Sequence, residues 1–339
     1  MNIHNRRYTG NKYKLMPWIQ EIIVKNCSSH DSLFDVFGGT GVVSAYMSKL
    51  FKKVYINDFL FSNEIIYKAF FGKSPYSVEK IEKYRNEFNK LDSNHLLDNY
   101  VSLNFGGKYF NYEDAKVIGY IRECIEKEFL KQAISSHEYS ILIASLLYSL
   151  DRAANTVGHY EAYIKKGEPR KLFSFDLITP LKTDCEYSIF RQDSNELAKN
   201  IESDICFIDP PYNSRQYSRF YHLLETITKW DKPKLSGVAL KPPEENMSEY
   251  CRAKAPIVFD ELVQSLKTKY IVVTYNNTYD SKSSSSKNKI TLDQILNSLN
   301  KRGETSVFEK EYHRFNAGKT DCNSHKEFLF LTKVKNSEF

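Results

Sequence analysis

The stretch "SLFDVFGGTGVVSAYMSKLFKKVYINDF" (Ser32–Phe59) decides the fold. A short apolar run, Leu33-Phe34, enters a glycine-rich turn at Phe37-Gly38-Gly39-Thr40-Gly41. "VVSAYMSKLF" follows with helical spacing, and "KKVYINDF" reads as a second strand ending on Asp58. Strand, glycine turn, helix, strand and acid, in that order, make a nucleotide-binding βαβ unit. Asp58 lies 17 residues after Gly41, near the usual position of an acid that accepts hydrogen bonds from a ribose. The turn lacks the GK[ST] ending of a triphosphate loop and the GxGxxG spacing that suits a pyrophosphate. A nucleoside without phosphates fits better, and S-adenosylmethionine is such a ligand.

A second stretch carries the chemistry. In "SDICFIDPPYNSRQYSRFYHLLET" (Ser203–Thr226) an apolar strand runs directly into Asp209-Pro210-Pro211-Tyr212. Ligands of open α/β sheets bind beyond the carboxyl ends of strands. The prolines stiffen the turn and, lacking N–H groups, leave their carbonyls to accept. Asp209 and a proline carbonyl therefore offer two acceptors beside the flat face of Tyr212. That combination suits a planar ring bearing an amino group, such as adenine. The N6 lone pair of adenine is delocalised into the ring. Two acceptors drawing on both N6 hydrogens favour a more pyramidal nitrogen able to attack a methyl donor. A base in duplex DNA reaches such a site only when flipped out, at a cost of a few kcal/mol that stacking on Tyr212 offsets in part.

The rest of the chain frames these motifs. Beyond Ser74 the sequence turns helical to about Leu150, with "HEYSILIASLLYSLDRAAN" (His137–Asn155) the clearest helix. Strands are expected at "CEYSIFRQDS" (Cys185–Ser194), "DICFID" and "KYIVVTYNN" (Lys269–Asn277). "TSVFEKEYHRF" (Thr305–Phe315) and "KEFLFLTKV" (Lys326–Val334) read as a terminal hairpin. Asp231–Tyr250 and Asp280–Lys289 read as mobile segments. The expected fold is an α/β, Rossmann-like sheet with a C-terminal antiparallel hairpin. Residues 1–60 and 165–339 would form the catalytic domain, and 61–164 a mostly helical inserted target-recognition domain.

Composition narrows the class. The 339 residues carry a net charge of +6, with 24 tyrosines and 22 phenylalanines, a balance compatible with stacking on bases beside phosphates. No apolar run approaches the roughly 18 residues that span a bilayer, and the N-terminus has no signal-peptide core, so a cytoplasmic protein without membrane contact is expected. The six cysteines form no CxxC pair and there is no HExxH, so neither a disulfide framework nor a metal site is expected.

Taken together, the motifs resemble the Dam-like (class alpha) adenine-N6 DNA methyltransferases of restriction–modification systems. "RRYTGNKYKLMPWI" is similar to that family's N-terminal cofactor motif, through Tyr8, Gly10 and Lys12. "FDVFGGTG" matches the first cofactor motif, through Asp35, Phe37, Gly39 and Gly41, followed by Asp58 and Phe59. "RQDSNEL" resembles the third motif, through Asp193 and Ser194, with Asp193 at the cofactor's adenine amino group. "AANTVGHYEAYIKK" (Ala153–Lys166) is similar to an Asn-x-x-Gly segment and supplies Asn155, Tyr163 and Lys165 as candidate DNA contacts. Arg215 and Arg219 join them as candidate phosphate grips. DPPY is the catalytic motif, with Asp209 also bordering the cofactor.

The resemblance implies S-adenosylmethionine as cofactor and Lys12 at its methionine end. It implies site-specific methylation of flipped adenine in double-stranded DNA, by a monomer or weak homodimer. It also implies a cognate restriction endonuclease acting on the same site without a stable complex. The alternatives are an enzyme acting on RNA or another amino group, and a non-catalytic DNA-binding subunit. The latter would be expected to have lost Asp209 or Tyr212.

Overall fold

The computed structural model describes residues 1–165, 172–277, 287–311 and 326–335. Lys166, most of the serine-rich segment at 280–289 and the tip of the expected terminal hairpin lie outside the described residues. The chain divides into two compact units, each assembled from separate stretches.

The sheet unit takes residues 12–59, 183–216 and 246–339. Its strands are β1 (Ser32–Asp35), β2 (Lys53–Asn57), β3 (Glu186–Phe190), β4 (Glu202–Ile208), β5 (Lys267–Asn276), β6 (Gly303–Glu311) and β7 (Lys326–Val334). They form one seven-stranded sheet in the order β3-β2-β1-β4-β5-β7-β6. The first five are parallel, and β7 runs antiparallel to both β5 and β6. This is the expected Rossmann-like sheet with its C-terminal antiparallel pair.

The run Ile205-Cys206-Phe207-Ile208 is wholly buried, as a parallel strand covered on both faces requires. Alternation along the strands sends Phe34, Val36, Cys206, Ile208, Ile271, Val273 and Tyr275 to one face. There they pack with Phe259, Leu262 and Val263 of helix α11 (Ala255–Ser265) and Ile295 and Leu299 of α12 (Leu292–Asn300). The short α1 (Met16–Asn26), α2 (Val42–Met47) and α8 (Ser194–Ala198) complete this unit.

The strand order reverses between β1 and β4, which are neighbours in register Leu33↔Ile205 and Asp35↔Phe207. A crevice at such a switch point is where open α/β sheets take their ligands. The glycine turn leaves the end of β1, and DPPY leaves the end of β4.

The helical unit takes residues 1–11, 60–182 and 217–245. Its helices are α3 (Phe61–Phe71), α4 (Val78–Phe88), α5 (Tyr100–Phe105), α6 (Tyr112–Leu130), α7 (Ser136–Ala153), α9 (Tyr217–Phe220) and α10 (His222–Lys229). The clearest sequence helix is α7, opened by a capping box between Ser135 and Glu138 and buried along nearly its whole length. Glu225 accepts from the backbone N–H groups of Phe61 (3.0 Å) and Ser62 (2.8 Å), satisfying the first turn of α3. The buried guanidinium of Arg122 on α6 donates to Ile227 O (2.8 Å) at α10.

The expectation of a loose segment after Asp231 is corrected within this unit. Arg219 Nη1 donates to Pro242 O at 2.7 Å, and Tyr109 Oη to Ala239 O at 3.0 Å. Lys229 pairs with Glu245 and Lys241 with Glu161. Proline and glycine marked irregular backbone there, and these side chains hold it in one path. Among the described residues no helix is long and apolar enough to cross a membrane.

Leu262→Ala should remove a fully buried side chain from the α11 face of the core and lower stability by about 2–5 kcal/mol. Denaturant unfolding of the variant against the parent chain measures it.

Candidate active site

The turn after β1 is built on left-handed backbone. Gly39 has φ +52° and Gly41 φ +75°, conformations that cost a side chain more than they cost glycine. Gly41 N donates to Gly38 O (2.7 Å) and Gly38 N to Asn57 O (2.8 Å), tying the turn to the end of β2. Asp58 Oδ2 accepts from Gly39 N at 2.9 Å, so one oxygen of the expected ribose acid braces the turn itself.

Asp35, at the end of β1, is 1% exposed. Its Oδ2 accepts from Ser44 Oγ on α2 at 2.7 Å, while its buried Oδ1 has no hydrogen-bond partner. Burial pushes its carboxyl up to about 7, the Ser44 bond opposes the rise, and the nearby Asp209 and Asp58 carboxylates add to it.

Asp209 is held by three donors. Lys12 Nζ meets Oδ2 at 2.8 Å, Thr274 Oγ1 donates to Oδ1 at 3.0 Å, and the Tyr212 hydroxyl also donates to Oδ1. Lys12 is 4% exposed and also donates to Tyr212 Oη at 2.8 Å, so its ammonium sits at the hydroxyl end of that ring. Burial raises the Asp209 carboxyl from its usual range, and Lys12 and Tyr212 hold it back. Among the described residues neither Pro210 nor Pro211 offers its carbonyl to a protein donor. The Tyr212 ring stands edge-on to Tyr275 with centroids 4.7 Å apart. The loop is pinned behind it by Lys289 N on Tyr212 O at 2.8 Å.

The structure thus brings Lys12, Asp35, Gly39, Gly41, Asp58, Asp209 and Tyr212 into one unit around the switch point. Phe37 is there too, edge-on to Tyr250 at 4.9 Å. Phe59 follows Asp58 and is half-buried. Asp193 caps α8, accepting from Asn195 N (2.9 Å) and Glu196 N (3.2 Å), with Ser194 buried beside it. Arg215 belongs to the same unit, its carbonyl accepting from Cys251 Sγ.

The remaining candidates lie in the helical unit. Tyr8 stacks on Tyr221, with centroids 4.5 Å and planes 8° apart, and the Arg6 guanidinium lies 5.0 Å from its centroid. Gly10 is left-handed, with φ +87°. Asn155 gives its amide hydrogens to Lys108 O (3.1 Å) and Ile164 O (2.9 Å). Tyr163 packs edge-on to Tyr109, Lys165 is exposed, and Arg219 holds Pro242 as described. His222 is a buried structural residue, both ring nitrogens facing carbonyls, and burial lowers its pKa to about 4.

Two site residues carried no sequence signal. Thr274 is an ordinary β-branched residue in a strand, and Ser44 an ordinary polar residue in a helix. Only the pairing of β4 with β5, and of β1 with α2, reveals them.

The family of D12 class N6 adenine-specific DNA methyltransferases matches residues 8–279, and the chain belongs to it. Modification methylase LlaI of Lactococcus lactis subsp. lactis is 29% identical over 342 residues, covering 94% of this chain and 52% of the relative. Modification methylase StsI of Streptococcus sanguinis is 32% identical over 286 residues, covering 80% and 44%. Type II methyltransferase M.NlaIII of Neisseria lactamica is 30% identical over 331 residues, covering 94% and 95%. The chain therefore spans about half the length of the first two relatives and nearly all of the third.

Asp35 predicts a pH dependence. Its folded pKa, near 7, lies above the unfolded value near 3.8, so the folded state binds the extra proton between those limits. Its ionisation therefore costs stability progressively as pH rises from about 4 to 7, on the order of 4 kcal/mol in all. Asp35→Asn keeps an acceptor for Ser44 and should lack this fall, gaining on the parent chain as pH rises. Parallel unfolding curves across that range check it.

Proposed function

We propose that this chain transfers a methyl group from S-adenosylmethionine to N6 of a flipped adenine at a specific site in duplex DNA. It would protect DNA from a restriction enzyme that acts on the same site without forming a stable complex with it. The reading further takes the enzyme to be cytoplasmic and a monomer or weak homodimer. The observation that carries it is the arrangement around Asp209: a half-buried carboxylate and an uncommitted proline carbonyl at a strand end, with a tyrosine ring beside them, next to a glycine turn braced by an acid.

The residues present fit the cofactor. Asp35 Oδ1 is a buried acceptor without a partner, and burial, reinforced by the acidic neighbours, makes its carboxyl reluctant to ionise. A cationic donor such as an α-ammonium relieves both. Asp58, which braces Gly39 at the end of β2, stands where a ribose hydroxyl would be received. Gly39 and Gly41 allow close approach to the backbone, with Phe37, Phe59, Asp193 and Ser194 nearby. S-adenosylmethionine supplies a methyl already activated by its sulfonium.

The chain's own groups prepare the nucleophile. In the described state Tyr212 occupies Asp209 Oδ1 through its hydroxyl. A base entering the site exchanges that bond for one from N6, and the Tyr212 ring turns to stack on the base. Asp209 and the Pro210 carbonyl then draw on the two N6 hydrogens, directing the nitrogen lone pair away from the ring plane. Asp209, its carboxyl raised by burial, is placed to receive the proton that N6 gives up and to pass it to water. Lys12 balances the carboxylate charge in a site that excludes most water. Tyr8, Gly10, Asn155, Tyr163, Lys165, Arg215 and Arg219 remain candidates for cofactor and DNA contacts, with the helical unit as the recognition element.

Duplex DNA incubated with the protein and labelled cofactor should yield N6-methyladenine on digestion, and single-stranded RNA should not. Asp209→Asn, which retains shape but loses the charge, should abolish transfer, with cofactor affinity by calorimetry within a few-fold of the parent. Persistent transfer would end the mechanism.

Tyr212 separates stacking from hydrogen bonding. Tyr212→Phe should retain substantial activity, while Tyr212→Ala should lose about ten- to a hundredfold in rate or in affinity for flipped base. A target adenine opposite a mismatch should restore part of the Ala variant's loss, because less unpairing energy is required. The matched-to-mismatched rate ratio decides.

A further inference from the structure

We propose that Thr274 is a positioning residue for this reaction: its hydroxyl holds the Asp209 carboxylate in place when the target base displaces Tyr212. The inference rests on the adenine-N6 reading above. Thr274 is 1% exposed, and its Oγ1 lies 3.0 Å from Asp209 Oδ1. The register Ile208↔Val273 puts Thr274 beside Asp209, one residue further along each strand. Strand alternation sends Val273 and Tyr275 into the hydrophobic cluster and Thr274 to the opposite face, toward the carboxylate.

The three donors on Asp209 differ in how firmly they are held. Lys12 reaches it on a four-carbon stem, and Tyr212 follows the proline turn and faces the incoming base. Thr274 stands on β5, which is hydrogen-bonded to β4 on one side and β7 on the other. Its β-branch restricts χ1. The torsion about a carboxylate's own Cβ–Cγ bond is by contrast broad. Lys12 at Oδ2 and Thr274 at Oδ1 fix the plane of the carboxylate from both ends. When N6 replaces the Tyr212 hydroxyl on Oδ1, Thr274 is the donor that remains there. Without it the plane can turn, and the N6 lone pair loses its direction, for which small misplacements are costly. A hydrogen bond to the ionised form also favours that form. Losing it moves the Asp209 carboxyl further up, and the acidic limb of the pH–rate profile rises with it.

Thr274→Ser and Thr274→Ala differ by the hydroxyl alone, and Thr274→Val replaces it with a methyl of similar size. Single-turnover methylation of duplex DNA with labelled cofactor, run across pH, tests all three against the parent chain. The Ser variant is expected within about threefold of the parent, and Ala and Val about 10- to 100-fold slower. The KM for cofactor should be unchanged, and the acidic limb should be displaced upward in Ala and Val but not in Ser. If Val is too unstable to assay, the Ser–Ala pair decides alone. Equal rates in Ser and Ala, or a loss that follows melting temperature with the acidic limb unmoved, overturns the positioning role. A parent chain that leaves DNA adenine unmethylated overturns the broader reading and this one with it. An active parent with unaffected Ala and Val overturns this one only.

Discussion

A carboxylate at the end of a buried parallel strand has to be compensated, and Asp209 sets that requirement for the sheet unit. The ammonium of Lys12, 2.8 Å from Oδ2, comes from a residue nearly two hundred positions earlier in the chain. The hydroxyls come from the turn after β4 and from β5. Three separate stretches must therefore be assembled before the charge is tolerable, and the site exists only in the folded sheet. Breaking one partner of a buried pair costs more than the pair contributes, because it strands the other charge. Lys12 thus belongs as much to the architecture as to the chemistry.

The same economy of space explains the acids around it. Asp35, Asp58 and Asp209 gather at the carboxyl ends of β1, β2 and β4, where the switch in strand order opens the crevice. Burial raises the carboxyl of Asp35, and repulsion from Asp209 and Asp58 adds to the rise. Such a crevice favours a ligand that brings positive charge and is less welcoming to one that has lost it.

Much of this was legible in the chain. The strand–glycine turn–strand order, the DPPY turn and the terminal strand pair are local patterns, and each strand stands where its apolar run announced it. The misreading of the segment after Asp231 is instructive. Proline, glycine and lysine do signal an absence of regular structure there. They say nothing of Tyr109, Arg219 and Lys229, whose distant side chains hold the irregular backbone in place.

The sequence by itself determined the class of fold and marked the candidate reactive groups, because apolar periodicity, glycine conformation and proline stiffness act over a few residues. Tertiary structure decided what those groups touch. That Lys12 pairs with Asp209, that Asp58 braces Gly39, that Asn155 reaches Lys108 O and that Thr274 aims at the carboxylate all depend on strand register and loop closure. Such contacts join residues far apart in the chain, and no short-range pattern specifies the distance between them.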